Sequence, residues 1–548
     1  MKSKVIQWLL VTAILLIGFA ARFYKVTEVP PSLNWDETSI AYNAYSILTS
    51  GKDEWGVSFP LNFKSYGEYK LPVQIYASIP GIFVFGLNEL GVRITPIVYG
   101  TLTILLLYFL AKELFDKKVA LISSFFLAIS PWHIQLTRAS FESSFSVFWV
   151  LLGLLLLVKG LKKPWLWVLS VIPFAISVYT YNSARIFTPL IIIAFGIIYF
   201  KKVIPHVKQI VVSGLLFVGL MAPIILSIFT GEAAARYKLV SVTDEKGLIP
   251  RIEQQRNLST YPKVITNLIH NRYTYVGYYS IRNYVSHFSP DFLFISGAGH
   301  KQHHPQKVGE MFLIQAPFVI WGIVQLIRKK NKYNGLLFAW LLLTFVPVSL
   351  TNDSIPHALR TVIAAPIYQI FTAVGIVELF NLLKGKRLIV ASQMLGIATI
   401  ISFYLYYHHL IVDYPRLYSQ AWQYGYKQVV EYISDHEDEY DLVVFSRSYG
   451  EPHMFTLFFK MYDPERYQKA DKVIQVDPND WIKIYSFDKY RFPDLSEPGT
   501  MYKDLVKEYP GKEILFIGKH EDFVDGQKVL LNVKFLDGQD AFDIVDNK

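Results

Sequence analysis

The chain has 548 residues, of which 52% are hydrophobic and 18% charged, with a formal net charge of +10 and no cysteine. Repeated apolar runs approach the roughly 20 residues that cross a bilayer core of about 30 Å, which excludes an ordinary soluble protein. The basic excess sits in short gaps between these runs, so it reads as membrane topology and contact with anionic lipid, with no nucleic-acid partner; the lack of cysteine excludes disulfides and thiol chemistry.

The first run, MKSKVIQWLLVTAILLIGFAARFYKV, has a basic end and an apolar core but no convincing cleavage site, and reads as an uncleaved first transmembrane helix. Clear spans are expected near 6–23, 93–111, 119–131, 145–158, 165–180, 186–200, 210–229, 310–327, 335–350, 361–379 and 388–406, within a total of about 11–13 transmembrane helices. With the amino terminus in the cytoplasm, the inner gaps hold Lys112, Lys117 and Lys118; Lys159, Lys162 and Lys163; Lys201, Lys202 and Lys208; Arg328, Lys329, Lys330 and Lys332; and Lys384, Lys386 and Arg387. That repetition is the positive-inside pattern. The segment 71–87, LPVQIYASIPGIFVFGL, is broken by two prolines and two glycines. Counted as a crossing it inverts everything downstream, so it reads as a juxtamembrane or re-entrant helix on the outer face.

The outer side then holds 24–92 (the first outer loop), 132–144, 181–185, 230–309 (a large loop), 351–360 and everything beyond about 407. Residues 1–406 form the transmembrane domain. Residues 407–548 are too polar for lipid. Their strand-like runs DLVVFS (441–446), WIKIYSF (481–487) and EILFIG (513–518) predict a small extracytoplasmic α/β domain.

Charged groups in the outer gaps are the candidates for chemistry. Asp36 and Glu37 fall at the expected start of a helix, where acidic side chains are favourable in themselves and where a carboxylate can also accept a proton from a nucleophilic hydroxyl. Glu68 and Lys70 follow near the juxtamembrane segment; Lys70 either holds a phosphate or snorkels to a headgroup. Arg138 and Glu142, four residues apart, either pair on one helical face or serve a site. Arg185 is an interfacial anchor or a phosphate contact, Arg272 and Arg282 are phosphate candidates, and His287 and Asp291 are polar-site candidates. His300, His303 and His304 lie in GAGHKQHHPQKVGEM without a settled metal-ligand spacing. His357 and Arg360, in TNDSIPHALRT, stand at the mouth of a helix where both can meet a phosphate.

The segments LNWDETSIAY, YGEYKLP, GVRITPIVYG and SPWHIQLTRASFES, with FSPDFLF, KQHHPQKVGEM and PHALRTVIAAP further on, resemble membrane glycosyltransferases of the dolichyl-phosphate-mannose protein mannosyltransferase family and its bacterial relatives, including lipid A aminoarabinose transferases. The resemblance implies a polytopic α-helical GT-C fold. It also implies transfer of a sugar from a polyprenyl-phosphate donor, undecaprenyl phosphate in a bacterial setting, on the extracytoplasmic face. Asp36 matches the first-loop catalytic acid, and Glu142 stands where many relatives carry an aspartate. GEYKLP resembles the family's Glu-Lys-Pro region with extra residues, Tyr69 and Leu71, between its members. The implied reaction is direct and inverting, with Asp36 as general base and Lys70, Arg138 or Arg360 stabilising charge on phosphate.

No cofactor is implied with certainty; a divalent metal, with Glu68, His303 and His304 as candidate ligands, stays open. The acceptor stays open among protein, glycolipid and cell-wall glycan. A transporter or flippase for a lipid-linked or anionic substrate, or a noncatalytic glycan-assembly protein, would place charges beside membrane helices too. The resemblance favours the enzyme.

Overall fold

The computed structural model describes residues 2–548 except 68, 230–240, 244–246, 477–480, 495–499 and 524–526. Two compact units are interleaved in the chain. One comprises Met1–Tyr24, Pro96–Thr137 and Glu142–Tyr407; the other comprises Lys25–Thr95, Arg138–Phe141 and His408–Lys548.

The first unit is helical. Each apolar run expected to span falls on a helix, and among the described residues six helices are long and apolar enough to cross a membrane. A seventh crossing arises if Lys117–Ala128 and Pro131–Arg138, bent by 53°, count as one. The runs at 165–180, 186–200, 310–327 and 335–350 form shorter apolar helices, two of them carrying an internal proline, Pro173 and Pro189. Phe200–Leu226 is strongly apolar yet only 6% buried within the protein. Such a surface needs lipid as its solvent, so this is a membrane protein. Inside the unit, small residues permit close helix approach: a Cβ on Gly375 would lie 1.9 Å from the Phe318 carbonyl oxygen, and one on Gly322 2.1 Å from that of Phe371.

The segment 71–87 forms the helix Pro72–Phe85, too short for a simple span, with Pro80 inside it and Phe83, Val84 and Phe85 exposed. Arg138 ends one helix and Glu142 begins the next, so they do not share a helical face. The SPWHIQLTRASFES segment breaks at Ala139–Phe141, where periodicity alone suggests continuity.

The second unit is built on a seven-stranded mixed sheet. Its strands are β3 (Leu442–Phe445), β4 (Val473–Val476), β5 (Ile482–Phe487), β6 (Tyr490–Arg491), β7 (Ile514–Gly518), β8 (Val529–Lys534) and β9 (Asp540–Asp546), in the order β4-β5-β6-β3-β7-β9-β8. β3 runs parallel to β6 and β7; the other neighbours are antiparallel. The strand-like runs read from sequence are β3, β5 and β7. A two-stranded hairpin, β1 (Phe63–Lys64) and β2 (Tyr69–Lys70), lies in the loop 24–92.

That loop and the carboxy-terminal sheet share one hydrophobic core. Leu33, Ile40, Tyr42, Ile47 and Ile75 are buried with Tyr426, Val443, Phe455, Ile517 and Phe542. The Tyr42 hydroxyl donates to the Tyr462 carbonyl at 3.0 Å, and Gln468 donates to the Asp53 carbonyl at 2.9 Å.

The helix Trp35–Ser50 begins with a capping box. Asn34 accepts from the Glu37 N–H at 2.9 Å, and Glu37 accepts from the Asn34 N–H at 3.2 Å. It ends at Gly51, whose φ of 69° is the left-handed conformation that glycine adopts without a Cβ penalty. Glu37 is fully buried and also bound by Arg93, at 3.1 Å from Nε and 3.2 Å from Nη2. Arg93 spends its other donors on the carbonyls of Val26, Pro30 and Ser32. Removing one partner of a buried ion pair leaves an uncompensated charge, so Arg93→Met is expected to lose about 3–5 kcal/mol of stability. The double variant Glu37→Gln/Arg93→Met should lose less than the sum of the single changes. Unfolding midpoints in detergent micelles check both outcomes.

Candidate active site

Two adjacent carboxylates at the start of one helix have opposite surroundings. A helix turns by about 100° per residue. Glu37 therefore points into the unit, where it holds Asn34, Arg93 and the Ser140 N–H (3.0 Å). Asp36 points out and keeps 38% of its side-chain surface accessible. Lys70, at the end of β2 and 3% exposed, sets its ammonium 2.5 Å from Asp36 Oδ1. The neighbouring β2 residue, Tyr69, pairs with Lys64, so the hairpin delivers Lys70 to Asp36 across 34 residues of sequence.

Aromatic rings adjoin this pair. Lys70 Nζ lies 5.9 Å from the Tyr66 ring centroid, and the Tyr66 hydroxyl donates to the Trp35 carbonyl at 3.1 Å. Trp481, at the head of β5, stacks on Tyr66 at 5.9 Å and 18°, and meets Trp35 edge-on at 6.5 Å. The Trp35 N–H donates to Gln423 at 2.9 Å, and Gln423 donates to the Tyr449 carbonyl. Trp35 also lies over Gly450, where a Cβ would come within 2.4 Å of the indole and where φ is 128°, so this approach requires glycine. The Trp481 N–H donates to Glu451 Oε1 at 2.8 Å. Glu451 is paired with Arg447, and His453 Nδ1 lies 3.4 Å from it. Burial pushes the Glu451 carboxyl up, but His453, Arg447 and the indole N–H outweigh it, and the net position is below the usual carboxylate range.

Arg138 is fully buried and donates to the Val29 carbonyl at 2.7 Å from Nη2 and 3.2 Å from Nε. Glu68 lies outside the described residues. In the helical unit, Glu142 opens the helix Glu142–Gly160 and Arg185 lies in the first turn of Asn182–Ile198. Arg272 donates to the Thr243 carbonyl at 2.8 Å, Arg282 is exposed on the same helix, and the Asp291 carboxylate accepts from Ser296.

The structure does bring the separated histidines of the helical unit together. His300 and His303 stack at 3.8 Å and 13°, and His303 lies 5.1 Å from His357. His287 Nδ1 donates to the Asn283 carbonyl, while its Nε2 accepts from the His357 N–H at 3.0 Å. Burial first, and then the nearby Arg360 charge, hold His287 down at about 4, as an accepting nitrogen requires. Arg360 is committed to Asp353 at 2.7 Å and to Thr351 at 2.8 Å. His304 is buried with Nε2 3.8 Å from Glu310. Among the described residues no group of three or more His, Asp or Glu is arranged to hold a metal ion.

Sequence reasoning missed Arg93, the tryptophans, and the buried Glu54. Arg93 had a signal: it is a lone charge within the apolar stretch GVRITPIVYG. Trp481 lies 445 residues from Asp36, and no local pattern connects them.

Residues 72–225 match the dolichyl-phosphate-mannose-protein mannosyltransferase family model. Over 123 residues the chain is 32% identical to the dolichyl-phosphooligosaccharide-protein glycotransferase 2 of Pyrococcus horikoshii, a match that spans 22% of this chain and 16% of that protein. The structure of ArnT from Cupriavidus metallidurans bound to undecaprenyl phosphate superposes with a TM-score of 0.56 at 11% identity, covering 98% of this chain and 97% of that one. The fold is GT-C. The archaeal oligosaccharyltransferase AglB from Archaeoglobus fulgidus, solved with an inhibitory peptide and a dolichol-phosphate, superposes on the GT-C chain with a TM-score of 0.52 at 12% identity, covering 83% of this chain and 64% of that one.

Beneath the site, Glu54 is buried against Asn43, which donates to it at 3.1 Å. Burial raises its carboxyl to about 8, with the Asn43 bond opposing and Asp53 adding to the rise. An acid raised in the folded state binds more protons folded than unfolded, so stability falls as pH climbs from about 4.5 to 8. Glu54→Gln, which keeps the acceptor for Asn43, should flatten the decline in unfolding midpoint across that window.

Proposed function

We propose that this chain is an integral membrane glycosyltransferase that moves a sugar from a polyprenyl-phosphate donor to an acceptor hydroxyl. The observation that carries this reading is the half-exposed Asp36 carboxylate held by the buried Lys70, beside a fully buried Glu37. A base must be reachable by the acceptor and fixed by groups that are not; Asp36 and its neighbours divide the work in that way. The matched family model, the GT-C fold and the lipid phosphates carried by ArnT and AglB support the donor class.

In the proposed step, the acceptor oxygen attacks the anomeric carbon from the side opposite the phosphate. The bond from that carbon to the phosphate oxygen breaks, its electron pair leaves with the polyprenyl phosphate, and the acceptor proton passes to Asp36. The configuration at the anomeric carbon inverts. Lys70 keeps the Asp36 carboxylate oriented toward the attacking hydroxyl. Arg138, enclosed and bound to the Val29 carbonyl, holds the backbone that leads into the Asp36 helix. Glu37 is a positioning residue for Asp36. Undecaprenyl phosphate is the proposed carrier in a bacterial setting. The proposed face is extracytoplasmic, on the strength of the positive-inside distribution of the lysines and arginines.

Asp36→Asn should lower transfer by about 10²–10⁴-fold while donor binding persists, because general-base catalysis contributes on that scale. Purified protein in lipid, given radiolabelled polyprenyl-phosphate sugars and a membrane extract, provides the measurement. Undiminished transfer in Asp36→Asn would remove the assignment of the base.

A further inference from the structure

The cluster of Trp35, Tyr66 and Trp481 does more than fill space. In a packed core an indole needs only apolar neighbours and some partner for its N–H. Trp481 is half-buried, and its N–H is fixed to a buried carboxylate that is itself held by Arg447 and His453. The backbone N–H of Ile482, the next residue, donates to the Tyr66 carbonyl at 3.3 Å, so the strand carrying Trp481 is tied to the loop carrying Tyr66. Trp35 is half-buried too, and is held by the Gln423 bond and the close approach to Gly450. Two indoles are thus locked in orientation while keeping accessible surface, and Trp35 adjoins Asp36 in the chain. Rings so fixed lose little entropy when a ligand packs on them.

We infer that Trp35 and Trp481 form the wall of an acceptor subsite that takes a saccharide, stacking one ring face while the acceptor hydroxyl reaches Asp36. This rests on the reading of Asp36 as the base and deepens it by naming the acceptor class. A pyranose matches the site's chemistry. Its C–H face suits a rigid aromatic surface, and its hydroxyl rim suits the half-exposed carboxylate of the Asp36–Lys70 pair that borders the rings. A lipid chain would leave those charges unsolvated. An extended peptide would seek a free strand edge, and the edge strands of this sheet among the described residues are β4 and β8. The subsite is assigned to the acceptor because the base must touch the attacking hydroxyl, whereas the donor's leaving oxygen departs from the opposite side of the anomeric carbon.

The test is calorimetric titration of the full-length protein in detergent micelles with mannotriose, cellotriose, chitotriose and a serine/threonine-rich peptide, with no donor present. At least one trisaccharide should bind the wild type. Trp481→Ala should weaken that binding by about tenfold, while Trp481→Phe, which keeps a ring, loses only about two- to threefold. If Trp481→Ala lowers the unfolding midpoint, Trp481→Phe and Trp481→Leu become the comparison, since both stay apolar and only Phe can stack. Binding of no trisaccharide, equal binding by wild type and a folded Trp481→Ala, or binding of the peptide alone would each overturn the inference. Titration needs neither donor nor turnover. Trisaccharide binding with no transfer activity would sink the transferase reading and leave the saccharide subsite standing; the reverse result would do the opposite.

Discussion

The buried pair between Arg93 and Glu37 is the contact on which the candidate site depends. Glu37 gathers three segments by itself. It closes the amino terminus of its own helix through Asn34, it takes the Arg93 guanidinium, and it accepts from the Ser140 backbone. Arg93 extends the arrangement to the carbonyls of Val26, Pro30 and Ser32. A desolvated ion pair is tolerable only when nearly every donor and lone pair is used, and this one comes close to that condition. The result is a rigid helix start on which the next carboxylate, Asp36, faces outward with a fixed orientation.

The second constraint is the shared core of the loop 24–92 and the carboxy-terminal sheet. A loop alone could not hold Asp36 against Lys70, because two-residue strands such as β1 and β2 have little stability of their own. Packing Ile40, Tyr42 and Ile75 against Val443, Phe455 and Ile517 gives the loop an interior. Hydrophobic burial thereby sustains a polar site at its edge. The same packing carries Trp481 to Tyr66, so that a strand near the end of the chain borders a carboxylate near its beginning.

The histidines of the helical unit show a different outcome. Local spacing grouped His300 with His303 and left His357 apart, yet the three rings stack in series, and His287 is locked as an acceptor by a backbone N–H. Arg360, read from its position as a phosphate contact, is bound by Asp353 and Thr351. Residue types at the mouth of a helix were legible; which of them are already occupied was not, because the partners come from other turns of the chain.

By itself the sequence determined the membrane character, the positions of the apolar helices and three of the seven strands of the sheet. Those properties follow from solvent preference summed over adjacent residues, and a run of apolar side chains carries that information locally. It also determined that Asp36 and Glu37 would start a helix. Only the tertiary structure decided which of the two is buried, that Arg93 is the cation it meets, that Lys70 reaches Asp36, and that the indole of Trp481 lies nearby. Each of those pairings joins residues separated by tens or hundreds of positions. Their energies arise from desolvation and close packing, which exist only after the chain has folded and have no counterpart in a stretch of sequence read one segment at a time.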